Sequence, residues 1–141
     1  MLTLFLQSGA ERFALPASAV AEVVPAVPLY PPPAGADPAL AGLLRYRGAI
    51  VPVLALGVPG EQRLSGRIVV VEAAGDPSRR LGLLADRVSD LKPLGATGAT
   101  FARTDGPSHG TLVAVADGLV RLLDPPALFA SLSPAQIGAT A

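Results

Sequence analysis

The chain has no cysteine, no tryptophan, one methionine and a single histidine, His109, in 141 residues. Without cysteine there are no disulfides, no thiolate nucleophile and no cysteine-based metal site, and one imidazole cannot build a histidine-rich zinc site. Charge of either sign is equally scarce. The 11 basic and 11 acidic side chains give a formal net charge of zero, and the arginines between Arg12 and Arg121 form no basic stripe that could neutralise a run of phosphates, so nucleic acid is not an expected partner. Long hydrophobic runs are missing too. The uncharged stretches Val23 to Ala36 and Gly48 to Gly60 contain prolines and fall short of the roughly 20 apolar residues of a membrane span. Met1 to Gln7 has no basic region of the kind that opens a secretory leader, and Glu11 and Arg12 soon follow. The expectation is a cytoplasmic protein with no cofactor, no metal and no membrane insertion.

Apolar residues, by contrast, make up 50% of the chain, interrupted by 15 glycines and 15 prolines. That composition is enough for a core and predicts one folded domain over residues 1–141. Short apolar segments punctuated by Gly and Pro read as many short strands, so the fold class is all-β. Leu2 to Leu6 and Phe13 to Leu15 flank a turn at 7–10, and Arg67 to Ala73 and Leu81 to Ala85 flank another at Ala74-Gly75-Asp76-Pro77. Asp117-Gly118, set between Leu112 to Ala116 and Leu119 to Leu123, signals a tight hairpin. The β-branched run Ile68-Val69-Val70-Val71 predicts a strand covered on both faces.

Pro52 within Ala49 to Leu56 removes a ladder donor and places that segment at a sheet edge or bulge, which makes Val51, Val53 and Leu54 candidate partner-binding anchors. One or two short helices are expected, over Asp37 to Ala41 and Asp124 to Leu132, each opening on an aspartate cap followed by proline; Leu128 and Leu132 then share a face. Pro25 to Pro33 reads as a stiff crossing, Gly95 to Gly110 as a mobile loop, and the residues after Ser133 as a frayed tail. Asp105, Ser108 and His109 hold the residue types of a nucleophilic relay, but neighbours in a turn do not make one. Gly106 and Gly110 lack the lysine and hydroxyl of a phosphate loop.

Three phrases occur in a fixed order: Phe13-Ala14-Leu15-Pro16, Val20-Ala21-Glu22-Val23, and, after a proline-containing crossing, Gly42 to Val53 with Arg47-Gly48 followed by Ile50-Val51-Pro52-Val53. The second half adds Arg67 to Val71, Leu81 to Asp90, Gly110 and the final hairpin. In type and spacing these resemble the CheW-like domain of bacterial chemosensory adaptors across nearly the whole chain. Ala55, where many members have an acidic residue, and the short link from Gly57 to Gly66 depart from the pattern. Tyr46 before Arg47-Gly48 looks more like adaptors of alternative systems, such as the surface-sensing Wsp type.

The resemblance implies two small five-stranded SH3-like β-barrels packed together, with a lobe junction near residues 57–66. It also implies a non-catalytic adaptor that binds a chemoreceptor's cytoplasmic helical tip and the regulatory domain of a CheA-type histidine kinase, in receptor arrays at the inner membrane. By the same resemblance Val20, Glu22, Val23, Gly42, Arg47 and Gly48 are receptor-facing. Read from the residues alone, Arg47 pairs with a carboxylate such as Glu22, Val20 and Val23 meet on a short helical turn or serve the core, and Gly48 serves backbone geometry. The competing expectation is a stand-alone CheW-like regulatory or ligand-binding module that engages one partner; an enzyme is the weakest of the three.

Overall fold

The computed structural model describes residues 2–36, 39–56, 66–103, 110–115, 118–130 and 132. Among these, the apolar segments pair into two sheets. One contains β1 (Leu2–Ser8), β2 (Glu11–Pro16), β8 (Arg87–Val88), β9 (Lys92–Pro93), β10 (Ala96–Arg103), β11 (Gly110–Val115) and β12 (Gly118–Leu123), in the order β10-β11-β12-β2-β1-β8 with β9 also on β1. The other contains β3 (Val20–Pro25), β4 (Leu40–Tyr46), β5 (Ala49–Ala55), β6 (Arg67–Ala73) and β7 (Asp76–Ala85), in the order β3-β6-β7-β5-β4. A 3₁₀ turn at Ala17–Ala19 carries the chain from the first sheet into the second, and helix α1 (Pro125–Ala130) follows β12.

The expected hairpins form. β1 and β2 pair from Thr3↔Pro16 to Ser8↔Glu11, and β6 and β7 pair from Arg67↔Ala85 to Ala73↔Asp76. β11 and β12 pair as well, but Gly118 already belongs to β12 opposite Val115, so the connecting residues are 116 and 117, outside the described residues. Ile68, Val69, Val70 and Val71 are all fully buried, with alternate side chains in two different apolar clusters. Ile68 and Val70 join Leu44, Tyr46, Val51 and Val53 inside the five-stranded sheet. Val69 and Val71 join Leu4, Leu6, Phe13, Leu15 and Leu128 between the two sheets. A third cluster, Phe5, Ala14 and Val120, lies on the far side of β1 and β2. β2 and β6 thus each separate two layers of core, which is why neither shows the alternation of a half-wet strand.

Four expectations need correction. Leu40 and Ala41 are strand, not helix: Leu40 is buried between the sheets and pairs with Leu54, and that burial outweighs the helix-start signal at Asp37-Pro38, which lies outside the described residues. Residues 96–103 are not loop but β10, paired with β11 up to Arg103↔Gly110; only 104–109, with Ser108 and His109, are outside the described residues. β5 is not a sheet edge, because β4 and β7 flank it. Its pairing with β7 begins only at Val53, however, and Leu43 opposite Pro52 exchanges both backbone bonds with Tyr30 (2.9 Å each). Pro52 therefore occupies a non-hydrogen-bonded site where its missing N–H leaves no gap in a ladder. Finally, the link 57–65, outside the described residues, joins β5 to β6 of one sheet; the chain changes sheets at Ala17–Ala19 and at Asp86.

At the second crossing, the Asp86 N–H donates to Gln7 O (2.9 Å) and its carboxylate accepts the Gly9 N–H (2.8 Å), while the Ser8 hydroxyl donates to Leu56 O (2.7 Å). The expected last helix forms over a shorter span; Leu128 is buried in the inter-sheet cluster and Leu132 packs against it. Because Phe13 is fully buried in that cluster, Phe13→Ala is expected to destabilise the chain by about 3–5 kcal/mol. Urea unfolding checks this; a loss under about 1 kcal/mol would mean that the inter-sheet layer does not hold the fold together.

Candidate partner-binding site

β4 and β5 pair up to Tyr46↔Ala49, which leaves a two-residue loop of Arg47 and Gly48 with φ of +50° and +78°. A type I′ hairpin turn needs positive φ at both positions, and Asn, Asp or Gly normally supply it. Gly48 meets that need with no atom near the Cβ it lacks, so it is there for conformation and not for close approach. Arg47 has the left-handed backbone that side chains avoid. A residue retained at such a position points to a task for its side chain.

That side chain joins a clasp. Glu22 Oε1 accepts the Tyr46 hydroxyl at 2.6 Å and an Arg47 guanidinium N–H at 3.1 Å. Glu22 lies on β3 and Tyr46 on β4, the two outermost strands of the five. Laid flat, those strands would be about 19 Å apart at the usual spacing, beyond the reach of the two side chains. The sheet is therefore strongly curled, edge toward edge, in keeping with a barrel-like lobe. Both Arg47 and Arg80 place their guanidinium carbons 5.3 Å from the Tyr46 ring centroid, and Arg80 is in turn paired with Glu72 at 3.1 Å. The Tyr46 hydroxyl, and next the Arg47 guanidinium, hold the Glu22 carboxyl below its ordinary 4.5. Conversely the carboxylate retains the phenolic proton, and Tyr46 titrates above its ordinary 10.0.

Of the other candidate residues, Val20 is half-buried and packs against the inter-sheet core, whereas Val23 is 39% exposed. Both lie on β3, not on a helical turn: pairing with β6 fixes an extended backbone. Gly42 answers to packing. A Cβ there would be 2.6 Å from Tyr30 O and 2.7 Å from Leu29 Cβ, so only glycine lets the crossing after β3 lie against β4. Val51, Val53 and Leu54 are buried because β5 has core on both faces, which removes them as surface anchors in this chain; Ile50 is the large apolar residue that β5 exposes. The solvent-facing apolar side chains around the clasp strands are Val23, Val27, Tyr30 and Ile50. Sequence reading missed Tyr30, Ile50 and the closing role of Tyr46. A tyrosine directly before an Arg-Gly hairpin loop was the one available signal for the last.

Beside α1 there is a groove of about 510 Å³ lined by Pro16, Ala19, Ala73, Arg79, Pro125 and Phe129. Arg79 stacks on Phe129 at 5.3 Å there. Among the described residues no cluster of His, Cys, Asp and Glu could hold a metal ion, and no helix is long and apolar enough to cross a membrane.

The profile of the CheW-like domain matches residues 3–133. The chain belongs to the CheW-like domain family. CheW-like domains are non-catalytic scaffolds or adaptors of chemotaxis signalling, and their partners are chemotaxis proteins. The fold agrees: the scaffolding protein TtCheW from Thermoanaerobacter tengcongensis superposes with a TM-score of 0.68 at 20% identity, over 87% of this chain and 83% of that one. No curated protein sequence matches this CheW-like chain.

The opposed shifts fix the working range of the clasp. A carboxyl with a lowered folded pKa stabilises above its unfolded value and loses that contribution as pH falls through the folded one; a phenol with a raised pKa stabilises below its unfolded value and loses it as pH rises. The clasp is therefore at full strength between about 4.5 and 10.0 and weakens outside on both limbs. Tyr46→Phe is expected to lower the melting temperature by about 3–5 °C near neutrality and to narrow its gap to the wild type below pH 4 and above pH 10. A gap independent of pH would refute the coupling. Arg47→Asn suits the turn backbone better, and its melting temperature is expected to match or exceed that of the wild type; a clear fall would make Arg47 primarily a structural residue.

Proposed function

We propose that this chain is a cytoplasmic adaptor that joins the cytoplasmic helical tip of a chemoreceptor to the regulatory domain of a CheA-type histidine kinase, within arrays at the inner membrane. Arg47 carries this reading. It is 66% exposed, held by Glu22, and kept on a backbone that favours glycine or asparagine. Stability does not account for an arginine at that point, and a guanidinium fixed by a carboxylate and an aromatic ring is preorganised for contact. Val20, Glu22 and Val23 on β3, with Gly42 and Gly48 shaping the neighbouring backbone, form the receptor-facing surface. Val27, Tyr30 and Ile50 supply exposed apolar area of the kind that concentrates binding energy in a few anchors. To bias the kinase, such an adaptor must contact two receptor states unequally.

The groove beside α1 favours a second reading, a stand-alone module that binds one partner or a small molecule there. Titration against the kinase regulatory domain and, separately, a receptor cytoplasmic fragment decides between them. The expected result is binding to both and a ternary complex, with Arg47→Asn folded but weakened at least tenfold toward the receptor fragment. Binding to one partner alone supports the module, and undiminished binding by Arg47→Asn removes Arg47 from the interface.

A further inference from the structure

The β6–β7 hairpin is irregular at its turn end. Glu72 pairs with Arg80, yet the next pair is Ala73 with Asp76, so Pro77, Ser78 and Arg79 bulge out of the ladder. Bulges re-aim side chains, and Asp76 fixes this one by accepting the Ser78 N–H at 3.1 Å together with the Ser78 hydroxyl. Arg80, back in register, meets Glu72 and the Tyr46 ring. Arg79 instead reaches the groove beside α1, where its guanidinium carbon is 5.3 Å from the Phe129 ring centroid.

Most of that groove is apolar. Pro16, Ala19, Ala73, Pro125 and Phe129 line it, and prolines present ring carbons with no N–H that asks for a partner. Its volume of about 510 Å³ is that of a small-molecule site, in which a few polar groups orient an otherwise apolar ligand. The Phe129 ring holds the guanidinium by cation–π attraction, and the fork of a guanidinium matches the two oxygens of a carboxylate. Among the described residues the other charge on the lining is Glu72, and it is turned to Arg80: its Oε1 accepts the Arg80 Nε–H at 3.2 Å and lies 3.1 Å from Nη2. A ligand with several negative charges would be repelled by that carboxylate, and a cationic one by Arg79. One negative charge on an apolar body suits both.

We propose that the groove beside α1 binds a small monocarboxylate with an apolar body, its carboxylate on Arg79 and its body against Phe129 and the prolines. This rests on the second reading above only in that the groove takes a small molecule, and not on how many protein partners the chain engages. The test is an NMR titration of the full chain with octanoate and with 2-naphthoate, each beside its neutral amide. Saturable shifts centred on Ala19, Ala73, Arg79 and Phe129 are expected, with at least one acid bound at least tenfold more tightly than its amide. Arg79→Gln should abolish that advantage without weakening the amide, and Arg79→Lys should keep part of it. Ala74→Phe, on the groove wall, should block acid and amide alike. Both replaced side chains are exposed, and if one variant fails a circular-dichroism melt the other carries the test. Tighter octanoate identifies an alkyl body and tighter 2-naphthoate an aryl one; either upholds the site. Amides that bind the groove as well as the acids, or acid affinities unmoved by Arg79→Gln, would overturn the carboxylate and leave the groove as a ligand site. No saturable shift with any of the four, or shifts centred on Val23, Tyr30 and Ile50, would overturn the groove as well.

Discussion

A hydrogen bond 2.6 Å long, from the Tyr46 hydroxyl to Glu22, joins the two outermost strands of the five-stranded sheet. Much of the rest follows from it. With those strands tied, Val24 on β3 and Leu44 on β4 pack on one apolar cluster with Ile68 and Val70 between them, so the inner face is closed from water. The bond also decides where Arg47 can act. Its guanidinium shares the same carboxylate oxygen at 3.1 Å, so the turn, the side chain and the sheet edge move as one piece. Both members of the ion pair are well exposed, and such pairs contribute little by themselves. The phenol, mostly buried, is the structural partner, and the arginine is the one left to face outward.

The second constraint is the layering of core around β2 and β6. Each puts alternate side chains into different clusters, and the layer between them, from Leu4 and Phe13 on one sheet to Val69 and Leu83 on the other, joins the two halves of the molecule. Gly82 shows how close the packing is: a Cβ there would lie 2.9 Å from Ile68 Cγ2 and 3.0 Å from Val53 Cγ2. The face of β1 that carries Gln7 is different, with cations in place of apolar neighbours at its end.

The strands were legible wherever a β-branched run or a Gly-containing turn marked them, as at Ile68 to Val71 and at Ala74-Gly75. The errors share a cause. Leu40 reads as helix because Asp37-Pro38 precedes it, and Pro52 reads as edge because it lacks a donor; in both cases the deciding partner, Leu54 or Tyr30, is distant in sequence. Local chemistry announces a turn or a cap, but only tertiary pairing says which side of a strand is covered. For the site, Glu22 and Arg47 were legible as an ion pair. The burial of Val51, Val53 and Leu54 was not, since apolar residues look alike in sequence whether they anchor a partner or fill a core. The closing role of Tyr46 was hidden for the same reason as Pro52, because it depends on two strands that are not neighbours in their own sheet.

The parallel pairing of β12 with β2, Arg121 beside Phe13 and Leu122 beside Ala14, has a consequence for synthesis. β3 to β7 are consecutive in the chain and can pair as soon as they leave the ribosome. The other sheet must wait, since β2 gains its second neighbour only when residue 121 has emerged, more than a hundred positions later. Until then the β2 edge of the β1–β2 hairpin is bare, and such edges recruit other chains. The nascent protein is most prone to aggregate over that interval, and the arrival of β12 ends it.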